Sequence, residues 1–128
     1  MAEKPRVVVV DDDPAIVALL AAALLGDYEL AVATDGRVGL QLCRAGRVDL
    51  LVTDIGMPGL DGVQLLGELQ KDARLAVIPV LVVTATHFTR LHIEQVKRFP
   101  QVRGIVLKPF EINELTATIT GLVRGGRP

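Results

Sequence analysis

Residues 6–20 read RVVVVDDDPAIVALL, four consecutive valines set directly against three consecutive aspartates and then a proline. Val7–Val10 is too short for a helix and carries no polar alternation, which is how a strand buried on both faces of a parallel sheet reads. Asp13 is placed to cap a helix that opens at Pro14, where the missing N–H is no loss and the fixed φ already suits the helix. That helix is predicted to run to about Leu25, with Gly26 where a C-terminal glycine belongs. The stretch is therefore a strand, a charged turn and a helix in succession. Three like charges with no Lys or Arg among them repel one another, so positive charge must reach the turn from elsewhere in the chain.

Outward from this unit the pattern repeats. Apolar β-branched runs recur at Leu50–Thr53 and Val80–Val83, and the segments ELAVA (Glu29–Ala33) and RGIVL (Arg103–Leu107) supply two further strands. Helices are predicted over about 36–45, from Asp61 onward, over about 89–98, and in a last segment that puts Ile112, Leu115, Ile119 and Leu122 on one face. The helix after Asp61 has Gln64 at capping-box spacing and buries Leu65, Leu66 and Leu69. Five alternations of strand and helix predict an α/β fold, a doubly wound five-stranded parallel sheet with helices on both faces. One domain is expected over residues 1–123, with no appended effector. Residues 124–128, RGGRP, are expected to fray as a C-terminal tail.

Composition narrows the functional classes. The chain has 128 residues, half of them hydrophobic, and 14 basic residues nearly balance 15 acidic ones. That size builds a real core, and that balance argues against a nucleic-acid-binding surface. Cys43 is the sole cysteine, so no internal disulfide forms. The start MAEKPRVVVV lacks the apolar segment of a signal peptide, and the longest apolar run, Ala15–Leu25, falls short of the roughly 20 residues that span a bilayer. The expectation is a cytoplasmic protein with neither nucleic acid nor membrane as a direct partner.

In an open parallel sheet, sites form beyond the carboxyl ends of strands. Asp11–Asp13, Asp54, Thr84 and Lys108 all fall at such ends and should converge on one crevice. A carboxylate cluster suits a hard divalent cation such as Mg²⁺, which takes oxygen ligands, and Lys108 would supply the remaining positive charge. Asp54 then becomes a candidate nucleophile toward phosphorus. The oxygens of an acyl phosphate formed there would be neutralised by the cation, by Lys108 and by the Thr84 hydroxyl.

Four segments at these strand ends, VVVVDDDP, LLVTDIGMPGLDG, VLVVTA and LKPF, closely resemble, in that order, the receiver domain of two-component response regulators. The resemblance covers about Arg6 to Val123 and implies the flavodoxin-like version of the fold. It implies Asp54 as phosphoacceptor and metal ligand, with Asp12 binding Mg²⁺ (or Mn²⁺) directly, Asp11 binding it through water, and the Gly56 backbone carbonyl as the other protein ligand. Thr84 and Lys108 match the family's hydroxyl and lysine, and Pro109 would follow a cis peptide bond. Asp13 is left as a helix cap. A histidine kinase or histidine phosphotransfer protein would be the donor and another protein the downstream target, in a phosphorelay. The chain would catalyse only its own phosphorylation and dephosphorylation. Two positions depart from the pattern: Ile105 stands where many relatives carry an aromatic residue, and Gly56 offers no side chain to control an attacking water.

Rival readings are weaker. A haloacid-dehalogenase-type phosphatase would use the DDD run as an Asp-x-Asp pair, but it needs a late acidic motif where this chain has LKPFE. A pseudo-receiver that binds partners without phosphorylation sits poorly with the complete set Asp11, Asp12, Asp54, Thr84 and Lys108. No Gly-x-Gly-x-x-Gly follows the first strand, which removes a dinucleotide site. Cys43 reads as a packed hydrophobe at helical spacing from Leu40, and His87 and His92, five apart, read as surface residues. Phe88 and Phe99 are open to either core packing or a partner contact.

Overall fold

The structure, a computed structural model, describes residues 4–85 and 90–125. Its elements are β1 (Arg6–Val10), α1 (Pro14–Leu24), β2 (Glu29–Ala33), α2 (Gly36–Arg44), β3 (Leu50–Thr53), α3 (Gly62–Gln70), β4 (Val80–Ala85), α4 (Arg90–Lys97), β5 (Val102–Lys108) and α5 (Ile112–Gly125). The strands form one sheet in the order β2-β1-β3-β4-β5, every pair parallel.

Strand alternation sorts the core into two layers. Val7, Val9, Leu50, Val52, Leu81 and Val83 meet Leu20 and Leu24 of α1 and Leu115, Ile119 and Val123 of α5. On the other face Val8, Val10, Leu51, Val80 and Val82 meet Leu40 and Cys43 of α2, Leu65, Leu66 and Leu69 of α3, and Val96 of α4. A strand whose neighbours alternate in this way is apolar at every covered position, which is why β1 after Arg6, β3 and β4 carry no polar residue before their carboxyl ends. The doubly wound arrangement expected from the sequence is the one found. Because β1 leads to β2 on one side and borders β3 on the other, the chain changes winding direction between β1 and β3, and a crevice opens at their carboxyl ends.

Several local expectations hold. Asp13 caps α1 by accepting the Ala15 N–H at 2.9 Å, and Asp61 and Gln64 form a reciprocal capping box at the start of α3. The Lys108–Pro109 bond is cis. Cys43 is fully buried, and burial pushes its thiol up to about 11 against the opposing pull of Arg6 and Arg74.

Others are corrected. Gly26 does not close α1 in a left-handed conformation; among the described residues the glycine with positive φ is Gly59, at 76°. The helix ends instead on the Leu24 carbonyl, which accepts both the Asp27 and Tyr28 N–H groups at 3.1 Å. β5 was expected to be buried, but it is an edge strand, so Leu107 is 46% exposed and Ile105 and Val106 are only partly covered. α5 continues to Gly125, two residues into the expected tail, and residues 126–128 lie outside the described residues. So do His87 and Phe88, whereas Phe99 is half-buried against the core and His92 is half-buried. Among the described residues no helix is long and apolar enough to cross a membrane.

Candidate functional site

Asp11 is the first residue beyond β1 and Asp54 the first beyond β3. The two strands are paired in register at Val10 and Thr53, so the two carboxylates emerge side by side. The local backbone holds them there: the Asp11 N–H donates to the Ala33 carbonyl at 3.1 Å and the Asp54 N–H to the Val10 carbonyl at 3.0 Å. Both residues are nearly inaccessible, at 2% and 5% exposure. Asp12, next along the turn, is exposed at the mouth of the crevice.

The positive charge demanded by the DDD run comes from the far edge of the sheet. Lys108, the last residue of β5, places its Nζ 2.7 Å from Asp11 Oδ2 and 2.9 Å from Asp54 Oδ2. One ammonium thus bridges two buried carboxylates from strands that are not its neighbours. Burial alone would pull the lysine's pKa down, but its hydrogen bonds to Asp11 and Asp54 outweigh that and raise it. At Asp11 the balance runs the other way. Burial raises its pKa, and hydrogen bonds from Lys108 and the Asp13 N–H only partly offset this.

The remaining contacts define what is free. Asp54 Oδ1 accepts the Ile55 N–H at 2.6 Å, while Asp11 Oδ1 accepts the Asp13 N–H at 2.9 Å. Both oxygens of Asp11 are therefore engaged within the chain. Ligand oxygens of Asp11, Asp12 and Asp54 lie within 4.8 Å of one another, close enough to share a cation. Three carboxylates against one ammonium leave two negative charges uncompensated when all are ionised, which a divalent ion fits. Gly56 lies half-buried in the β3–α3 loop, two residues past Asp54.

Thr84 is on β4 opposite Leu107, one residue before the pair Ala85 and Lys108. It is fully buried, and its Oγ1 has no hydrogen-bond partner. A hydroxyl buried without a partner costs about 1–3 kcal/mol. Such a group at a strand end beside the crevice is suited to donate to an incoming oxyanion.

The crevice thus brings together Asp11, Asp12, Asp54 and Lys108, with Thr84 at its β4 side and Gly56 in the adjoining loop. Beyond the Gly56 carbonyl, sequence reasoning missed the backbone donors that hold the site together. The Ile55 N–H that fixes the Asp54 rotamer and the Gly62 N–H that closes the loop on the Ile55 carbonyl at 2.7 Å have no side-chain signature.

Comparison with known proteins agrees with this geometry. Residues 7–120 match the response regulator receiver domain family. Chemotaxis protein CheY of Pseudomonas aeruginosa is 36% identical over 116 residues, covering 89% of this chain and 92% of that protein. The sensor histidine kinase TmoS of Ectopseudomonas mendocina is 32% identical over 121 residues, covering 94% of this chain but 12% of that protein. The chain spans less than half the length of several curated relatives that it matches. Among solved structures, the Francisella response regulator 1452 receiver domain superimposes with a TM-score of 0.83 at 31% identity, covering 97% of this chain and all of that one.

Proposed function

The chain belongs to the response regulator receiver domain family, whose role is phosphoacceptor signalling, and from that premise we propose that it takes a phosphoryl group from a phosphohistidine donor onto Asp54. The observation that carries the assignment is the Lys108 ammonium held between Asp11 and Asp54. It puts balancing positive charge beside both carboxylates, and of the two Asp54 follows β3, the strand next to the β4 end that carries Thr84.

Each residue has a distinct task. The Ile55 N–H and Lys108 fix the Asp54 carboxylate so that an oxygen is presented to phosphorus without reorganisation. As the new O–P bond forms and the bond to the donor's imidazole nitrogen breaks, charge grows on the phosphoryl oxygens. Lys108 and the unpartnered Thr84 hydroxyl are the chain's donors for that charge. Mg²⁺ or Mn²⁺ held by Asp12, Asp54 and the Gly56 carbonyl, with Asp11 behind a water, would supply the Lewis acidity that neutralises those oxygens. The assignment of Asp12 as the direct ligand and Asp11 as the indirect one is supported by their exposure, since Asp12 is open at the mouth of the crevice whereas Asp11 is buried behind it against Lys108. Hydrolysis of the acyl phosphate returns the resting carboxylate, so the chain turns over only its own modification.

The donor is a histidine kinase or a histidine phosphotransfer protein in the cytoplasm, and the output is a downstream protein. Exposure to acetyl phosphate and Mg²⁺ followed by intact-mass measurement should show one added phosphoryl group, absent in Asp54→Asn. Labelling that survives in Asp54→Asn would move the phosphoacceptor elsewhere.

A further inference from the structure

We infer that Gly36, the first residue of α2, is a positioning residue for the loop that offers the Gly56 carbonyl to the cation; the inference rests on the reading of that loop as one wall of the metal site. Gly36 does not serve conformational freedom, because its φ is not positive. It serves space. A Cβ there would collide with the Leu60 carbonyl oxygen and lie 2.8 Å from the Leu60 carbonyl carbon. The N-terminus of α2 therefore bears directly on the backbone of the β3–α3 loop. Its cap residue, Asp35, flanks the same loop: a Cβ at Gly59 would stand 3.2 Å from Asp35 Oδ2.

The loop cannot yield at its ends. The Gly62 N–H donates to the Ile55 carbonyl at 2.7 Å, and the Gly62 Cα packs so closely on the Asp54–Ile55 peptide that a Cβ would fall 2.8 Å from the Ile55 Cα. Ile55 is in turn tied by its N–H to Asp54 Oδ1. The helix cannot yield either. Leu40 and Cys43 anchor it in the core, and Gly39 lies so close to Val10 that a Cβ there would be 2.6 Å from Val10 Cγ2. Its last turn is clamped by Arg6 on the Leu42 carbonyl and Arg74 on the Arg44 carbonyl. Pressure on Leu60 thus falls on the span between Ile55 and Gly62, through the exposed Pro58 and Gly59 onto Met57, which is buried in the core directly after Gly56. α2 acts as a stop that sets the position of a metal-ligating carbonyl without touching the cation.

The test is Gly36→Ala, with Val123→Ala on the opposite face of the sheet as a variant destabilised away from the loop. Backbone amide shifts of residues 55–60 are read without metal, and Mg²⁺ affinity by calorimetry. Gly36→Ala should move those amides and weaken Mg²⁺ binding by about tenfold or more, the scale of lost support behind a metal ligand, while Val123→Ala keeps affinity near wild type. Unchanged affinity in Gly36→Ala, or an equal loss in Val123→Ala, overturns the inference. If Gly36→Ala does not fold, Asp35→Ala, which removes the cap and the carboxylate against Gly59, must weaken Mg²⁺ binding or the inference falls. Wild-type protein that binds no Mg²⁺ would remove the metal reading itself. Unmoved loop amides would refute the stop even if metal binds.

Discussion

At the scale of single residues, Asp11 is a carboxylate that the fold tolerates rather than favours. The Asp11 pKa is raised from 3.8 because burial outweighs its hydrogen bonds. A carboxyl with a raised folded pKa lends stability below its unfolded pKa and loses it as pH rises through the folded one. At neutral pH Asp11 is therefore a net cost. Asp11→Asn, which keeps an acceptor for the Asp13 N–H, should raise the melting temperature of the metal-free protein near pH 7, with the difference shrinking toward pH 3. Each kcal/mol gained corresponds to roughly 3–5 °C for a chain of this size. Thermal melts across that range check it, and a lower melting temperature for the variant at pH 7 contradicts it. Lys108 is raised from its ordinary value, so the ammonium side of the bridge persists through neutrality and is lost in alkali. Metal binding should separate the two neighbouring aspartates of the turn after β1. Asp12→Ala removes an open ligand and should lower Mg²⁺ affinity more than Asp11→Ala, which removes a carboxylate already engaged by Lys108 and Asp13; equal losses in a titration would refute that order. The side chains Asp11, Asp12, Asp54, Thr84 and Lys108 were legible because charge or a hydroxyl at the end of an apolar strand is conspicuous. The donors from Ile55 and Gly62 were not, because a backbone N–H has the same letter whatever it binds.

At the scale of elements, legibility follows burial. β1, β3 and β4 are covered on both faces and show it as unbroken apolar runs. β2 and β5 are edges, and Glu29 and Leu107 stand exposed within them, so their runs are weaker and β5 looked more buried than it is. Gln101 escaped the sequence reading altogether. In QVRG nothing periodic surrounds it, yet it is 2% exposed and fully paired. Its Nε2 donates to the Leu75 and Ile78 carbonyls at 3.1 and 2.9 Å, and its Oε1 accepts from Gln70 at 2.7 Å. This one side chain ties the end of α3 and the approach to β4 to the start of β5. Only the tertiary arrangement makes those carbonyls its neighbours. Gln101→Leu keeps similar bulk but leaves the Ile78 carbonyl without its partner, while the Leu75 carbonyl still accepts the Ile78 N–H and the exposed Gln70 amide can turn to water, so it should cost about 1–3 kcal/mol in urea unfolding, the cost of one buried group left unpaired. A loss under 1 kcal/mol would mean that water replaces the amide. Phosphorylation of folded protein should be unaffected, because Gln101 lies at the opposite end of the sheet from Asp54.

At the scale of the whole molecule, the question is how a phosphoryl group in the crevice is felt elsewhere. On the function proposed above, Thr84 would be the connection. Its hydroxyl is buried and unpartnered, and its strand is paired to β5 through Val82 with Ile105, Thr84 with Leu107, and Ala85 with Lys108. A phosphoryl oxygen that accepts from Thr84 and draws on Lys108 therefore acts on the ends of both strands at once. β5 forms one wall of an apolar groove lined by Ile93, Lys97, Val102, Arg103, Gly104, Ile105 and Leu107, whose other wall is α4. α4 is short, and among the described residues it buries only Val96 in the core, fewer than α2 or α3 on the same face. Ile105 cannot act as a swinging ring. It is β-branched and stiff at its first torsion, and it carries no polar tip to bring to the surface. Its half-buried side chain can transmit a displacement only by pushing on what it packs against, which includes the groove. The response should thus be a shift of α4 against β5 rather than a rotamer exchange. Hydrogen exchange with and without a beryllofluoride mimic of the phosphoryl group checks this: altered protection is expected across residues 90–97 and in β5. Altered protection limited to the loops around Asp11 and Asp54 would mean that the charge is absorbed locally, and that the chain passes phosphate on without reshaping its α4–β5 face.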